Sequence, residues 1–335
     1  MSPAPTEVAF GARLAEAVAR RESQIVVGVD PDPRALWPEA VEREPEARAQ
    51  LRAALAAAEV AAGRLDHLDA APGAAGGTAP GACRGAGERL DTAVAVLAHS
   101  LALIDAAAPA CVAAKPQLAF FEQLGFAGWL ALERVCAHAR AAGLIVLADA
   151  KRGDVPSTAA AYARALTGRD GLAADAITAN PLLGRDALAP LIDGARAAGA
   201  GVFMLVRTSN PGAADVLDLP LSTGEPLWER LAAMADELGA GEPLKDVGAV
   251  TGATVPEHLA RMRELMPRTP FLLPGIGAQG GSVEALAPAF APGRAAGLVS
   301  ASRSIANAHQ QHGGDPADAA RREAERLRDA AWRLA

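Results

Sequence analysis

Eight short apolar runs, separated by stretches rich in Ala, Leu, Arg and Glu, constrain the fold of this chain more than any other feature. They are IVVGVD (25–30), CVAAK (111–115), LIVLAD (144–149), DAITAN (175–180), VFMLVR (202–207), VGAVTG (247–252), FLLPG (271–275) and AGLVS (296–300). Runs of this length that stay apolar instead of alternating suit parallel strands buried on both faces. The stretches between them, such as 128–142, 157–166, 185–199, 227–239 and 256–266, read as helices. Eight strands alternating with helices predict an α/β chain folded as one (β/α)8 TIM barrel over residues 1–335. A doubly wound open sheet is the structural runner-up, but no G-x-G-x-x-G follows the first strand. Helices at 45–62 and 89–107 flank residues 63–88, a Gly-, Ala- and Pro-rich segment without apolar period. That segment reads as a mobile surface insertion. Residues 315–334 form an amphipathic helix, packing on the barrel or extending from it.

Composition narrows the function. A hydrophobic fraction of 51% supplies apolar mass for a barrel core. The net charge of −7 argues against broad nucleic-acid binding, which needs a basic face. No run of eighteen uncharged apolar residues is present, so no membrane span is expected. The N-terminus lacks an apolar targeting region, and Cys83, Cys111 and Cys136 lack metal-ligand spacing. A reducing, cytoplasmic setting is the expectation. His309 and His312 are three residues apart with no third ligand nearby, so no metal site is expected. No G-x-S-x-G elbow and no P-loop occur.

Of 32 basic residues only Lys115, Lys151 and Lys245 are lysines. Arginine carries nearly all surface positive charge, so a lysine is less arbitrary here. An ammonium can surrender a proton in a tuned site, and a guanidinium cannot. In a barrel, function sits at the C-terminal ends of the strands. Those ends carry Asp30, Lys115, Asp149, Lys151, Asp154, Asn180, Arg207 and Ser209, then Gly275, Gly277, Ser302 and Arg303. Asp149-x-Lys151-x-x-Asp154 follows the run LIVLA directly. With Lys115 it makes an alternating Lys–Asp–Lys–Asp set, expected at one mouth. Flanking carboxylates favour a charged lysine, which can stabilise a developing carbanion and then protonate it. A surface ion-pair network is the plainer alternative.

LLPGIGAQGG (272–281) and VSASRSI (299–305) follow the seventh and eighth strands, the usual barrel position for a phosphate site. Arg303 can clamp a phosphate with two hydrogen bonds, although the glycines can also simply make tight turns. Asp30, in GVDPDP, can accept from sugar hydroxyls or serve as a turn residue. Ser209 and Asn210 can read a base edge or make a turn.

These segments together resemble the orotidine 5′-phosphate decarboxylase family, in particular its bacterial type 2 subgroup. LADAKRGDVPSTAAAYA (147–163) carries the likeness, with GVDPDP (28–33), AAKPQLAFFEQLG (113–125), TANPLLGRDAL (178–188), LVRTSNPGA (205–213), LPGIGAQGG (273–281) and SASRSI (300–305). The likeness runs from about residue 10 to 330. It implies decarboxylation of orotidine 5′-monophosphate to UMP and CO2, the last step of de novo pyrimidine synthesis, without cofactor or metal. By position, Lys151 matches the proton donor to C6 and Asp149 the carboxylate near the departing carboxylate. Lys115 matches the lysine that orders the array and reaches the ribose. Asp154, with Thr158 beside it, matches the aspartate that enters the partner's site in a homodimer. Asp30 matches the ribose acceptor, Ser209 the pyrimidine contact and Arg303 the phosphate clamp. Backbone around Gly277 and Ser302, and the side chain of Gln279, complete the implied phosphate site. Two rivals are a Mg2+-dependent sugar-phosphate enzyme of the same barrel superfamily and a Schiff-base aldolase. A third is a non-catalytic phosphate-ligand sensor, which predicts a disrupted array.

Overall fold

A computed structural model describes residues 8–62, 86–252, 256–276 and 283–335. Each apolar run becomes a strand: β1 Ile25–Val29, β2 Ala113–Pro116, β3 Ile145–Arg152, β4 Ala176–Ala179, β5 Gly201–Arg207, β6 Val247–Thr251, β7 Phe271–Leu273 and β8 Gly297–Ala301. Neighbours in sequence pair in parallel, and β8 returns to β1, with Val26 opposite both Ala113 and Ser300. A closed barrel without edges replaces the open-sheet alternative.

Helices fill the crossovers. They are α1 Phe10–Arg21, α2 Glu44–Ala62, α3 Ala86–Ala107, α4 Leu118–Glu122, α5 Phe126–Ala141, α6 Pro156–Thr167 and α7 Arg185–Ala197, then α8 Ala214–Leu217, α9 Leu227–Leu238, α10 Pro256–Leu265, α11 Arg303–Ala306, α12 Ala308–His312 and α13 Pro316–Leu334. The unbroken apolar character of the strands has its reason in two cores. Val26, Leu147, Phe203, Val250, Leu272 and Leu298 point into the barrel. Val27, Val146, Ile177, Val202, Ala249 and Val299, one residue on or back, pack under the helices.

The strand–helix alternation does not require α1, which precedes β1 and closes the N-terminal mouth. Its Phe10 meets Phe203 edge to face, ring centres 6.1 Å apart. Gly201 makes room for this plug, because a Cβ there would lie 2.3 Å from the Phe10 ring. The expected insertion at 63–88 is corrected at its end, since residues 86–88 already belong to α3; residues 63–85, with Cys83, lie outside the described residues. The segment Gly87–Ala110 is long and apolar enough to cross a bilayer, but most of its apolar window is buried in this fold, where α3 packs on α2, α5 and α13. The C-terminal helix α13 packs on the barrel. Asp315 caps it by accepting from Asp318 N at 2.9 Å, and Ala320, Ala324, Leu327 and Ala331 are buried.

Candidate active site

A cavity of about 320 Å3 opens at the C-terminal ends of the strands. Its floor includes Val250 and Leu272, members of the interior core. Asp30, Lys115, Asp149, Lys151, Ser209, Ser302 and Arg303 stand around it.

Asp149 is the centre. One carboxylate oxygen, Oδ2, accepts from Lys115 Nζ and from Gln117 Nε2, each at 2.9 Å. The other, Oδ1, accepts from Lys151 Nζ at 2.5 Å and from the Thr178 hydroxyl at 2.9 Å. Burial alone pushes the carboxyl toward its neutral form, but the Lys115 and Lys151 ammonium groups outweigh it and hold the pKa at about 2. Lys115 shows the converse. Burial favours the neutral amine, yet Asp149 and then Asp30 prevail and raise its pKa.

The two lysines differ in access. The Lys115 side chain is 7% exposed and that of Lys151 44%, against 8% for Asp149. Lys115 is therefore a buried counter-ion, and Lys151 is the ammonium presented to the mouth. Its backbone is unusual as well, with φ of 49°, in the left-handed region. Pairing of β3 with β4 runs in step to Ala148↔Ile177 and resumes at Arg152↔Ala179, so residues 149–151 face Thr178 alone. At this bulge the Lys151 N–H donates to Thr178 Oγ1 at 2.8 Å. A bulge re-aims side chains, and a left-handed residue costs about 1–3 kcal/mol, held in place by its surroundings. Next to it, Arg152 pairs with Glu122 and stacks over Tyr162 at 5.4 Å.

Asp30 directly follows β1, with its Oδ1 buried and without a hydrogen-bond partner among the described residues. An unpaired buried acceptor facing a cavity is set for a donor from outside. Opposite, Ser302 and Arg303 follow β8. Ser302 sits so close to β1 that a Cβ on Gly28 would lie 1.7 Å from its Oγ. Arg303 is exposed and makes no ion pair among the described residues. Gly275 and Ile276 line the cavity after β7, whereas Gly277 and Gln279 lie outside the described residues. Ser209 sits on a loop braced by Arg207, which grips Asp218 at 2.7 and 2.9 Å and donates to the Thr208 carbonyl at 2.6 Å.

The structure thus brings Asp30, Lys115, Asp149, Lys151, Ser209, Ser302 and Arg303 to one cavity. It leaves Asp154 and Thr158 off that cavity. Asp154 precedes α6, its Oδ1 accepting the Val155 N–H at 2.7 Å, and Thr158 is in the first turn of that helix. Gln117 and Thr178 were not foreseen from sequence as partners of Asp149. The available signal was the strand period of two, since Gln117 lies two residues past Lys115 and Thr178 two before Asn180. Among the described residues no three metal-ligating groups cluster, around His309 and His312 or elsewhere.

Comparison with known proteins follows the same line. Residues 90–322 match the family model described as orotidine 5′-phosphate decarboxylase / HUMPS family. The orotidine 5′-phosphate decarboxylase of Deinococcus radiodurans is 46% identical over 236 residues, 69% of this chain and 83% of that protein. That of Halorubrum lacusprofundi is 48% identical over 208 residues, 61% and 71% of the two chains. The structure of Leishmania donovani OMP decarboxylase superposes with a TM-score of 0.68 at 29% identity, over 97% of this chain and 99% of that one.

Proposed function

The chain belongs to the orotidine 5′-phosphate decarboxylase / HUMPS family, and from that premise we propose how its mouth turns orotidine 5′-monophosphate into UMP and CO2. This decarboxylation is the last step of de novo pyrimidine synthesis. The C6–carboxylate bond breaks, CO2 leaves neutral, and the bonding pair stays on C6. Lys151 stabilises that pair as an ammonium and then gives C6 its proton; the resulting amine recovers a proton from solvent. The observation that carries this reading is the Lys151 ammonium held 2.5 Å from Asp149, at the open side of the array. A fixed charge aimed where negative charge develops lowers the barrier without reorganisation during the step.

The remaining roles are those that the family resemblance implies for these residues. Asp149 holds Lys151 and lies nearest the departing carboxylate. Lys115 neutralises Asp149 from below and reaches toward the ribose. Asp30, with an unpartnered oxygen, accepts from ribose hydroxyls. Ser209 contacts the pyrimidine. Arg303 clamps the phosphate beside Ser302, with the Gly277 backbone and Gln279 as further phosphate contacts. Binding the phosphate far from C6 supplies energy that organises the reacting end.

A homodimer completes the site in this reading. Asp154 and Thr158 do not line the cavity of their own chain. Large apolar side chains lie exposed in the loops and helix starts after β2, β3 and β4: Phe126, Trp129, Val155, Leu182 and Leu183. A second copy covering this face would shield them and bring Asp154 and Thr158 to its own mouth.

The experiment is a spectrophotometric assay with orotidine 5′-monophosphate, run with and without EDTA, on the protein and on Lys151→Ala. Conversion to UMP should be unaffected by the chelator. The variant should lose about 10³-fold or more in kcat while UMP still inhibits within several-fold of the unsubstituted protein. Asp149 keeps Lys115, Gln117 and Thr178 in that variant, so its fold is preserved. Near-normal turnover by Lys151→Ala removes its assigned role. Conversion lost on chelation favours the metal-dependent sugar-phosphate relatives.

A further inference from the structure

Arg303 stands on α11, a helix of four residues, too short to hold its own orientation. It lines three cavities, one of them beside Glu323 and Arg326 of α13. One is the mouth described above; a second, of about 420 Å3, shares Asp30 and Ser302 with it and is bounded also by His99, Phe120, Ala306 and Asn307. The guanidinium therefore has space on more than one side; Ile305 anchors α11 in the core and the helix packs on α13, and its C-terminal end takes one further tie.

The only side-chain hydrogen bond to the α11 backbone among the described residues comes from outside the helix. Trp37 Nε1 donates to the Ala306 carbonyl, at the helix end, at 2.8 Å. Such terminal carbonyls lack a partner within the helix. Trp37 is itself locked. It is buried, its backbone N–H donates to His99 Nδ1 at 3.1 Å, and its ring lies edge to face on His99 with centres 5.1 Å apart. A second edge contact, at 6.5 Å, is with His309. Burial, with His309 adding to it, pushes the His99 pKa down to about 4, so this imidazole is a neutral acceptor at neutral pH. Trp37 also lies in the connection from β1 that begins with Asp30. One indole thus ties the ribose-side loop to the phosphate-side helix.

We propose that Trp37, seated on His99, is a positioning residue that holds the end of α11 so that Arg303 faces the substrate phosphate and not the neighbouring cavities. The proposal rests on Arg303 being the phosphate clamp, and the test separates the two claims.

The measurement is the ratio of kcat/KM for orotidine 5′-monophosphate to kcat/KM for orotidine, which lacks the phosphate. Inhibition by UMP and by uridine is measured alongside. Arg303→Ala tests the premise, and the ratio should fall about 100-fold. Trp37→Phe keeps an aromatic ring, though a smaller one, and removes the N–H donor; the ratio should fall about tenfold, with UMP inhibition weakened and uridine inhibition little changed. A merely structural role lowers activity on both substrates and leaves the ratio where it was. His99→Leu, which removes the acceptor of the Trp37 backbone N–H and the ring under the indole, should show the same signature and serves if Trp37→Phe does not fold. A selective Arg303→Ala with an unchanged ratio in both Trp37→Phe and His99→Leu overturns the proposal. An unselective Arg303→Ala overturns the premise and the proposal with it.

Discussion

At the residue scale the chemistry turns on one carboxylate, Asp149, that takes a donor from each of Lys115, Lys151, Gln117 and Thr178. Its folded pKa of about 2 lies below the unfolded value of about 3.9. A depressed carboxyl pKa adds stability that is fully present above the unfolded value and is lost as pH falls toward the folded one. The stability gap between the protein and Asp149→Asn, read by urea denaturation, should be constant above about pH 4 and shrink by roughly 2–3 kcal/mol toward pH 2. A gap that does not change with pH would contradict the pairing. Lysine scarcity in the sequence pointed to Lys115 and Lys151 because arginine does the ordinary surface work. It did not separate them from Lys245, which is buried against Asp236 at 2.6 Å just before β6, at the opposite end of the barrel. Only the fold shows that this third lysine is a structural ion pair.

At the scale of elements the eight strands were readable because both their faces are buried, which leaves continuous apolar runs. The plug α1 left a weaker trace: Phe10, Leu14, Ala17 and Val18 recur at helical spacing, but nothing local says that this face closes a barrel. Phe10→Ala should cost about 3–5 kcal/mol of stability by urea denaturation, as a buried ring is lost against Phe203. The KM for orotidine 5′-monophosphate should stay within about twofold, because the site is at the other mouth. Unchanged stability, or a large rise in KM, would show that the plug is not a separate structural element. The bulge in β3 was not readable. Its left-handed Lys151 is held by Thr178 from the next strand, and no local propensity favours a lysine in that conformation.

At the scale of the whole molecule, the placement of Asp154 off its own cavity, beside exposed apolar loops, argues for a shared site. Leu182 is 77% exposed on that face. Leu182→Arg should yield monomers by sedimentation velocity and lower kcat by about 100-fold or more, since each mouth would lack its partner's aspartate. Full activity in a demonstrably monomeric sample would contradict the arrangement. The sequence by itself determined the strand count, the barrel, and which charged residues stand at strand ends, because burial and chain period are local properties written in consecutive residues. It also carried the family, through motifs whose residues are contiguous. Tertiary structure alone decided that Lys115 is buried while Lys151 is presented, that Gln117 and Thr178 hold Asp149, and that Trp37 reaches Ala306. Each of those contacts joins residues from different strands or loops, and only closure of the barrel brings them within bonding distance.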